Sequence, residues 1–266
     1  MRAWQDHAVV TTLHGGTQVS GLSDGSPWQR GSVRGWDRVG RSSGAVAISL
    51  RILEFAAGRS PGLQARACDE VLYALAGAGR VFVDGHGVDL GQDCGVFVAE
   101  GRSWAIDNPG PAPLLLASSR CPEPAEDRAA EALPAGMFAP LAGARAPQPG
   151  PVAALCDQPR RSTGDRWYCE LLDERLGCRR VTQFVGAIPP GRAPDHLHPY
   201  EEVIVIRQGH GVLWSGDSQA PIGPGSCIFL PARQVHCLQN EGPGPMTLLG
   251  VFHPAGSPAV RYEPGP

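Results

Sequence analysis

The residues best suited to chemistry lie in one short stretch, His196-Leu197-His198-Pro199-Tyr200-Glu201-Glu202. Alternate side chains of a strand face the same side, so an extended chain would place His196, His198 and Glu202 on one face. A second segment offers His236 on a neighbouring predicted strand. Three imidazoles and one carboxylate form a mixed nitrogen and oxygen site, which suits iron, manganese, nickel, copper, cobalt or zinc.

Several polar residues near this stretch are weaker candidates for a role in the site. Glu201 has the opposite strand parity, so we expect it to face away from a metal. Tyr200 is interpreted first as an exposed loop residue and second as a hydrogen-bond donor to the site. Gln183 and Arg180 lie at the start of a predicted strand over 181–188, and either would orient a substrate if it faced inward.

A larger folded unit must position these residues, and an internal repeat indicates what that unit is. When the sequence is shifted by 132 residues, Glu70-Val71 aligns with Glu202-Val203. The same offset superposes further residues of identical type: Gly77 and Gly79 on Gly209 and Gly211, Gly91 on Gly223, Phe97 on Phe229, Asn108 on Asn240, Gly110-Pro111 on Gly242-Pro243, Pro113 on Pro245, and Leu116 on Leu248. We therefore predict an internal duplication.

Each copy consists of short apolar runs separated by glycine-containing turns. The runs are Val71–Leu75, Val81–Val83, Gly95–Val98 and Leu114–Leu116 in the first copy, and Val203–Ile206, Val212–Trp214, Cys227–Leu230 and Thr247–Phe252 in the second. Short strands at regular spacing with turn signals indicate an all-β barrel or jelly roll. The predicted fold class is all-β, with two tandem antiparallel jelly-roll barrels.

The predicted organisation has four parts. Residues 1–40 form an N-terminal arm, 41–121 a first barrel, 122–160 a linker rich in alanine and proline, and 161–266 a second barrel. A helical turn or two is expected around 125–133, inside the linker.

Composition narrows the functional classes. The chain has 266 residues, 35 of them Gly and 26 Pro, and a net charge of −3 with scattered basic residues, so no nucleic-acid partner is expected. It has no apolar run long enough to span a membrane and no apolar signal-peptide region at its start, so no membrane association is expected. The eight cysteines include no CxxC pair, which favours reduced thiols and a cytoplasmic location.

Two motifs in the second copy resemble those of the cupin superfamily. The first is Gly191-x4-His196-x-His198-x3-Glu202-x6-Gly209, with one residue fewer than usual before the first histidine. The second is Gly225-x5-Pro231-x4-His236-x3-Asn240, with Arg233 where a glycine is common. The resemblance implies a bicupin in which His196, His198, Glu202 and His236 bind a metal inside the second barrel.

The first copy departs from this pattern. At the constant offset Gln64 replaces His196, Arg66 replaces His198 and Trp104 replaces His236, so only Glu70 is retained. Guanidinium and indole groups offer donors but no lone pair for a cation, so we expect this barrel to bind no metal. An Arg66–Glu70 ion pair is expected, in a barrel kept for packing or, alternatively, one that binds an anionic ligand.

Three functions are compatible with these features. The favoured one is a dioxygenase-like enzyme that uses one divalent transition metal per chain, preferably Fe(II), on a small chelating substrate. The second is a non-redox metal enzyme, such as an isomerase, lyase, decarboxylase or aminohydrolase. The third is a small-ligand-binding protein without catalysis. A homodimer is expected only by analogy with related folds.

Overall fold

The structure is a computed structural model that describes residues 10–122, 138 and 150–260. Residues 1–9 of the predicted arm and the helical turns predicted around 125–133 lie outside the described residues. Short 3-10 helices occur at His14–Gly16, Arg41–Ser43, Leu155–Asp157 and Glu174–Leu176. All other regular elements in the described part are β-strands, and they pair antiparallel.

In chain order the strands are β1 (Thr11–Thr12), β2 (Gln18–Ser20), β3 (Trp28–Arg30), β4 (Val33–Val39), β5 (Leu50–Phe55), β6 (Gly58–Arg59), β7 (Leu63–Gln64), β8 (Asp69–Ala76), β9 (Gly79–Val83), β10 (His86–Leu90), β11 (Cys94–Val98), β12 (Ser103–Asn108), β13 (Leu114–Cys121), β14 (Val152–Ala154), β15 (Arg161–Thr163), β16 (Arg166–Leu172), β17 (Thr182–Ile188), β18 (Gly191–Arg192), β19 (Glu201–Gln208), β20 (Gly211–Ser215), β21 (Ser218–Ile222), β22 (Cys227–Leu230), β23 (His236–Asn240) and β24 (Met246–His253).

Two jelly-roll barrels result, as the sequence predicts. The first barrel joins a seven-stranded sheet, in the order β14-β11-β8-β13-β5-β4-β3, to a smaller sheet of β10-β9-β12-β6 with β7. The second joins an eight-stranded sheet, in the order β1-β2-β22-β19-β24-β17-β16-β15, to the sheet β18-β23-β20-β21. The residues aligned by the offset of 132 therefore occupy equivalent strands.

The two large sheets pack against each other, which explains why their central strands are buried on both faces. On β19, Val203 and Val205 contribute to an apolar core shared by both barrels, whereas Ile204 and Ile206 face the interior of the second barrel. Strand β8 divides its residues between the shared core and the interior of the first barrel in the same way. Side chains that alternate along β19 therefore place Glu202 inside the second barrel.

The segment before each barrel adds an edge strand to the other barrel. Strand β2 pairs with β22 of the second barrel, where Val19 lies opposite Ile228. Strand β14 pairs with β11 of the first barrel, where Val152 lies opposite Val96. The residues expected to form an arm also supply β3 and β4, which pair in series with β5. The division of the chain at residues 40, 121 and 160 stays a prediction.

The duplicated asparagines hold the same turn in both barrels. Asn108 donates from Nδ2 to the Phe55 and Ala112 carbonyls at 3.0 and 2.9 Å, and its Oδ1 accepts from the Gly110 amide. Asn240 repeats all three bonds at 2.8–2.9 Å. Because buried backbone groups need partners, this turn explains why an asparagine stands at the end of β12 and of β23.

Candidate metal centre

Three histidines converge inside the second barrel. The nearest ring nitrogens of His196, His198 and His236 all lie within 4.8 Å of one another, the one such group of His, Cys, Asp or Glu side chains in the described residues. His236 begins β23, as expected, and exchanges two backbone hydrogen bonds with His196 at 2.9 and 3.1 Å.

The expectation that the His-x-His segment lies on a regular strand is wrong. His196 makes only an isolated bridge, and His198 lies in the irregular segment between β18 and β19. Pro194 and Pro199 flank the pair, and proline supplies no N–H for a ladder. The histidines still meet because the single bridge to His236 sets the position of His196.

Hydrogen bonds fix two of the imidazole rings. His196 Nδ1 lies 3.1 Å from the carbonyl of Pro194, and His236 Nδ1 lies 2.8 Å from the carbonyl of Gln234. A carbonyl only accepts hydrogen bonds, so both Nδ1 atoms carry a proton, and in the neutral ring this leaves the lone pair on Nε2. This arrangement is typical of metal-binding histidines.

Glu202 borders the three histidines without belonging to the compact group. Its Oε2 lies 3.5 Å from His198 Nε2, the only polar contact of its carboxylate that the described residues show. Burial raises the pKa of Glu202 to about 8, and burial together with the neighbouring His196 lowers the pKa of His236 to about 4.

This donor set fits a divalent cation. A buried carboxylate without a cationic partner among the described residues is costly, and a bound cation would supply the missing charge. The lowered pKa of His236 beside it favours the neutral imidazole, the form in which histidine binds metals. Metal ligation by His196, His198, Glu202 and His236 stays a prediction.

The histidines open onto a cavity with aromatic walls. Its volume is about 770 Å³, including the part that opens to solvent. Phe184 and Phe252 meet edge to face with 5.9 Å between ring centroids, and Tyr200 stacks on Phe252 at 4.6 Å. Tyr200 also stacks on His198, with 5.0 Å between centroids and 8° between ring planes.

The preferred interpretation of Tyr200 as an exposed loop residue is therefore wrong. Its ring is half-buried and lines the cavity beside the histidines. The physical reason is the aromatic stack, because His198 on one side and Phe252 on the other each gain contact area with the phenol ring.

Gln183 and Arg180 do not reach the cavity, so neither orients a substrate there. Gln183 is buried against the first barrel, where its Nε2 donates to the Leu72 carbonyl at 3.3 Å. Arg180 forms a bidentate ion pair with Asp69 at 2.8 and 2.9 Å and a second pair with Glu100. Both residues join the two barrels.

Glu201 faces away from the histidines, in agreement with its strand parity. Its carboxylate accepts hydrogen bonds from the backbone amides of Val46 and Ala47 at 2.8–3.1 Å. Adjacent glutamates on β19 thus serve two purposes: one contacts the first barrel and the other lies beside the histidines.

Phe184, Gly250 and Arg166 are site residues that the sequence analysis missed. A Cβ on Gly250 would lie 2.3 Å from the Phe184 ring, so the glycine lets that ring cover Glu202. Arg166 follows a Gly164-Asp165 turn, which signals a hairpin but not the direction of its side chains. The glycine within the predicted strand Thr247–Phe252 was the available signal, because an isolated glycine in a strand often marks a close approach.

The equivalent position in the first barrel has different chemistry. Glu70 accepts hydrogen bonds from Arg51 Nη2 at 2.6 Å, Ser118 Oγ at 2.5 Å and Trp104 Nε1 at 3.0 Å. The expected Arg66–Glu70 ion pair is wrong, since Arg66 is too far along the rim and Arg51 on β5 reaches the carboxylate from inside. Trp104 fills the position of His236 and is fully buried.

Gln64 and Arg66 lie at the rim of the first barrel. Arg66 is exposed and donates to Gln64 Oε1 at 2.9 Å, and Gln64 donates to the Gly101 carbonyl at 3.1 Å. The alternative that they bind an anionic ligand stays a prediction.

Part of the second barrel matches a known protein family. Residues 184–252 match the family model of the cupin domain. None of the curated proteins matches this chain. No helix in the described residues has the length and apolar character needed to cross a membrane.

Solved structures share the fold over nearly the whole chain. A putative glyoxylate-induced protein from Pseudomonas aeruginosa has a TM-score of 0.72 and 15% identity, with 97% of this chain and 98% of that chain covered. The E. coli protein YlbA gives 0.71 and 12%, with 92% and 93% covered. Oxalate decarboxylase from Lactobacillus farciminis, in a formate complex, gives 0.70 and 16%, with 95% and 89% covered. At these identities the likeness shows the fold.

Proposed function

The chain is a bicupin of the cupin superfamily, and from that premise we propose that its second barrel is the site of a metal-dependent enzyme acting on a small chelating substrate. The single observation that carries the proposal is the convergence of three histidines beside a buried carboxylate at the bottom of a cavity. His196, His198, Glu202 and His236 would hold one divalent transition metal per chain. Fe(II) is favoured, with Mn, Ni, Cu, Co or Zn as alternatives.

The protein itself supplies orientation and a shielded cavity. A bound cation would polarise a substrate oxygen and, if it is iron, would also provide redox capacity. The carbonyls of Pro194 and Gln234 hold two imidazoles in the orientation that binding needs. Phe184 and Phe252 limit the access of water to Glu202, and Tyr200 places a phenol in the same cavity, where it can donate a proton to bound substrate.

The favoured reaction is an oxygen-dependent one, of the dioxygenase type. A site held by four side chains would leave about two positions on an octahedral metal, enough for one substrate atom beside dioxygen or for a chelating substrate alone. The aromatic walls suit a substrate with an apolar part, such as a diketone or a flavonol, and a small thiol is a further candidate.

A non-redox reaction is the second candidate, and the small carboxylates named for two structural neighbours suggest a substrate for it. They include oxalate decarboxylase in a complex with formate and a protein described as glyoxylate-induced, both associated with small carboxylates. There the metal would act as a Lewis acid and a side chain would move the proton. Ligand binding without catalysis stays the third alternative.

Metal analysis of anaerobically purified protein, followed by oxygen-uptake assays, tests the proposal. Stoichiometric iron and oxygen consumption with a diketone, flavonol or thiol are the expected results. Tight manganese or zinc binding with no oxygen uptake, but with turnover of a small carboxylate, would select the non-redox reaction. A second barrel that stays empty at micromolar metal would overturn both enzyme assignments.

A further inference from the structure

A buried pair of hydroxyl groups lies across the sheet from His236. Ser215 on β20 is the direct cross-strand partner of His236 on β23, so both side chains project to the interior face of the second barrel. Thr17, from the segment that precedes the first barrel, lies with its Oγ1 2.9 Å from Ser215 Oγ. Both residues of this hydroxyl pair are fully buried. Buried hydroxyls cost free energy unless they are hydrogen-bonded, so their partners matter.

Ser215 connects the N-terminal segment to the residue that orients His236. Its Oγ donates to the His14 carbonyl at 2.9 Å and accepts from Gln234 Nε2 at 3.0 Å. The backbone carbonyl of Gln234 in turn accepts from His236 Nδ1 at 2.8 Å. One residue therefore binds Ser215 through its side chain and His236 through its backbone.

The N-terminal segment fits closely against Gln234. A Cβ on Gly15 would lie 1.6 Å from Gln234 Oε1, and the φ of +68° also favours glycine there. On either side of this contact, Leu13 and Val19 are buried in the interior core of the second barrel. The segment is therefore an integral part of the second barrel, although it precedes the first barrel in the chain.

The first barrel has an apolar residue where the second has Ser215. Trp104 takes the place of His236, and its cross-strand partner on β9 is Val83, which is buried in the interior of that barrel. The same pair of strands thus packs well without a hydroxyl. The barrel fold does not require Ser215, and the hydroxyl occurs in the barrel that carries the histidine.

The residue equivalent to Gln234 also has a different role in the first barrel. The Gln234 amide donates to the Pro231 carbonyl at 3.3 Å and the Arg102 amide to the Ala99 carbonyl at 3.0 Å, so both barrels make the same backbone turn. The exposed guanidinium of Arg102 pairs with Asp84, whereas the side chain of Gln234 donates to the hydroxyl pair. The turn is shared, and the connection to the hydroxyl pair is particular to the second barrel among the described residues.

We propose that Thr17 and Ser215 are positioning residues for His236, so that a segment preceding the first barrel tunes the metal affinity of the second. The inference rests on the proposed function, in which His236 is a metal ligand. Loss of groups that orient a ligand commonly lowers metal affinity about 10–100-fold. The hydroxyl pair acts one residue further from the metal, so a loss of about three- to tenfold is expected.

Cobalt binding by Thr17 variants tests this role. Thr17→Val removes the hydroxyl at nearly constant volume, and it should weaken Co(II) binding about three- to tenfold and shift the visible absorption bands. Thr17→Ser should restore both. Ser60→Ala is the matched control, because it deletes a buried hydroxyl of the first barrel that bonds to the Ile106 amide and the Pro61 carbonyl. It should leave Co(II) affinity unchanged even if it lowers stability.

A double variant tests whether Thr17 acts through Ser215. Ser215→Ala should weaken Co(II) binding at least as much as Thr17→Val does. Adding Thr17→Val to Ser215→Ala should then have little further effect, because residues that act in one hydrogen-bond network are not additive. Fully additive losses would contradict the proposed connection.

Metal-free protein gives a readout that does not depend on the proposed function. The hydrogen bond to the Gln234 carbonyl should hold the neutral His236 ring in the tautomer with its proton on Nδ1. Correlation NMR spectra of the histidine rings report this tautomer, and His236→Ala identifies the signal. Thr17→Val and Ser215→Ala should both raise the fraction of the other tautomer, and Ser60→Ala should not.

The outcomes separate the inference from the proposed function. A wild-type protein that binds no Co(II), but whose His236 tautomer responds to Thr17→Val, would retain the positioning role and overturn the enzyme assignment. Unchanged Co(II) affinity, absorption bands and tautomer in Thr17→Val, with thermal unfolding showing a folded protein, would overturn the inference while leaving the metal site in place.

Discussion

Glu70 and Glu202 occupy the same place in two copies of one barrel, yet only one of them is fully satisfied by the protein. Glu70 is bound by Arg51, Ser118 and Trp104. Glu202 lies beside the Phe184 ring, and its carboxylate makes its only polar contact among the described residues with His198. A carboxylate with three donors is a structural group, and a carboxylate buried without them has capacity for a cation.

The difference arises on two neighbouring strands. Arg51 pairs with Ser118 across β5 and β13, and Phe184 pairs with Gly250 across β17 and β24. The basic and hydroxyl side chains of the first pair reach the carboxylate, whereas the ring and the glycine of the second leave it without donors. The neighbours of the retained glutamate therefore change together with the three histidines, which Gln64, Arg66 and Trp104 replace in the first barrel.

The largest expected effect comes from removing the Glu70 charge. Glu70→Gln leaves the Arg51 guanidinium, which is 12% exposed, without its counter-charge, and breaking a buried pair costs about 3 kcal/mol or more in unfolding free energy. Glu202→Gln in metal-free protein should change stability by less than about 1 kcal/mol, because no ion pair is lost. Urea unfolding of both variants, metal-free, measures the contrast; equal costs would contradict it.

The second effect is on metal binding. His236→Ala should lower metal affinity by about 100-fold or more, because one of three converging imidazoles is lost. Gln64→Ala, the first-barrel counterpart of a His196 substitution, should leave metal content unchanged. Competition with a coloured chelator measures both. Unchanged metal content in His236→Ala and His196→Ala together would refute the ligand assignment.

The third prediction compares the stability cost of removing the equivalent asparagines, Asn108 and Asn240. Asn108→Ala and Asn240→Ala each remove the same set of hydrogen bonds and leave buried carbonyls without a donor, at a cost of about 2 kcal/mol apiece. Thermal unfolding of the two variants should give similar shifts. A cost confined to Asn240 would show that its turn serves the site rather than the fold.

The smallest expected effect on stability is at a turn position that is a glycine in the first barrel and an arginine in the second. Gly101 has φ +79°, and Arg233, its counterpart at the offset of 132, has φ +63°. The left-handed conformation costs a residue with a Cβ about 1 kcal/mol, so Arg233→Gly should stabilise the protein by up to that amount. Gly101→Ala should cost a similar amount, because a Cβ there meets no other atom within 4 Å. The melting temperature is expected to rise in Arg233→Gly and to fall in Gly101→Ala. A lower melting temperature in Arg233→Gly would show that the arginine side chain has a role.

Much of the fold was predictable because the signals were local. The glycine, asparagine and glutamate matches between the copies fall on equivalent strands and turns, since these residue types are required by turn geometry and burial. The shared apolar core was implied by strands such as Val203–Ile206, whose continuous apolar run is typical of burial on both faces.

The positions of Gln183, Arg180 and Tyr200 were not predictable in the same way. At the offset of 132, Gln183 aligns with Arg51 in sequence. The strand pairing instead places Phe184 at the position equivalent to Arg51, so the structural alignment is shifted by one residue. Such a shift turns every side chain to the other face of the sheet. Tyr200 lies in an irregular segment where parity has no meaning, so its stacking partners decide its direction.

The sequence by itself determined the duplication, the all-β architecture and the three histidines that converge beside Glu202 in the second barrel. Only the tertiary structure decided that Arg51 satisfies Glu70, that Phe184 encloses Glu202, that Arg166 enters the cavity wall and that the N-terminal segment contacts the loop before His236. The physical reason is that ligand types and turn residues are fixed by local chemistry. The neighbours of a buried charge, in contrast, depend on strand register and on pairings between segments far apart in the chain.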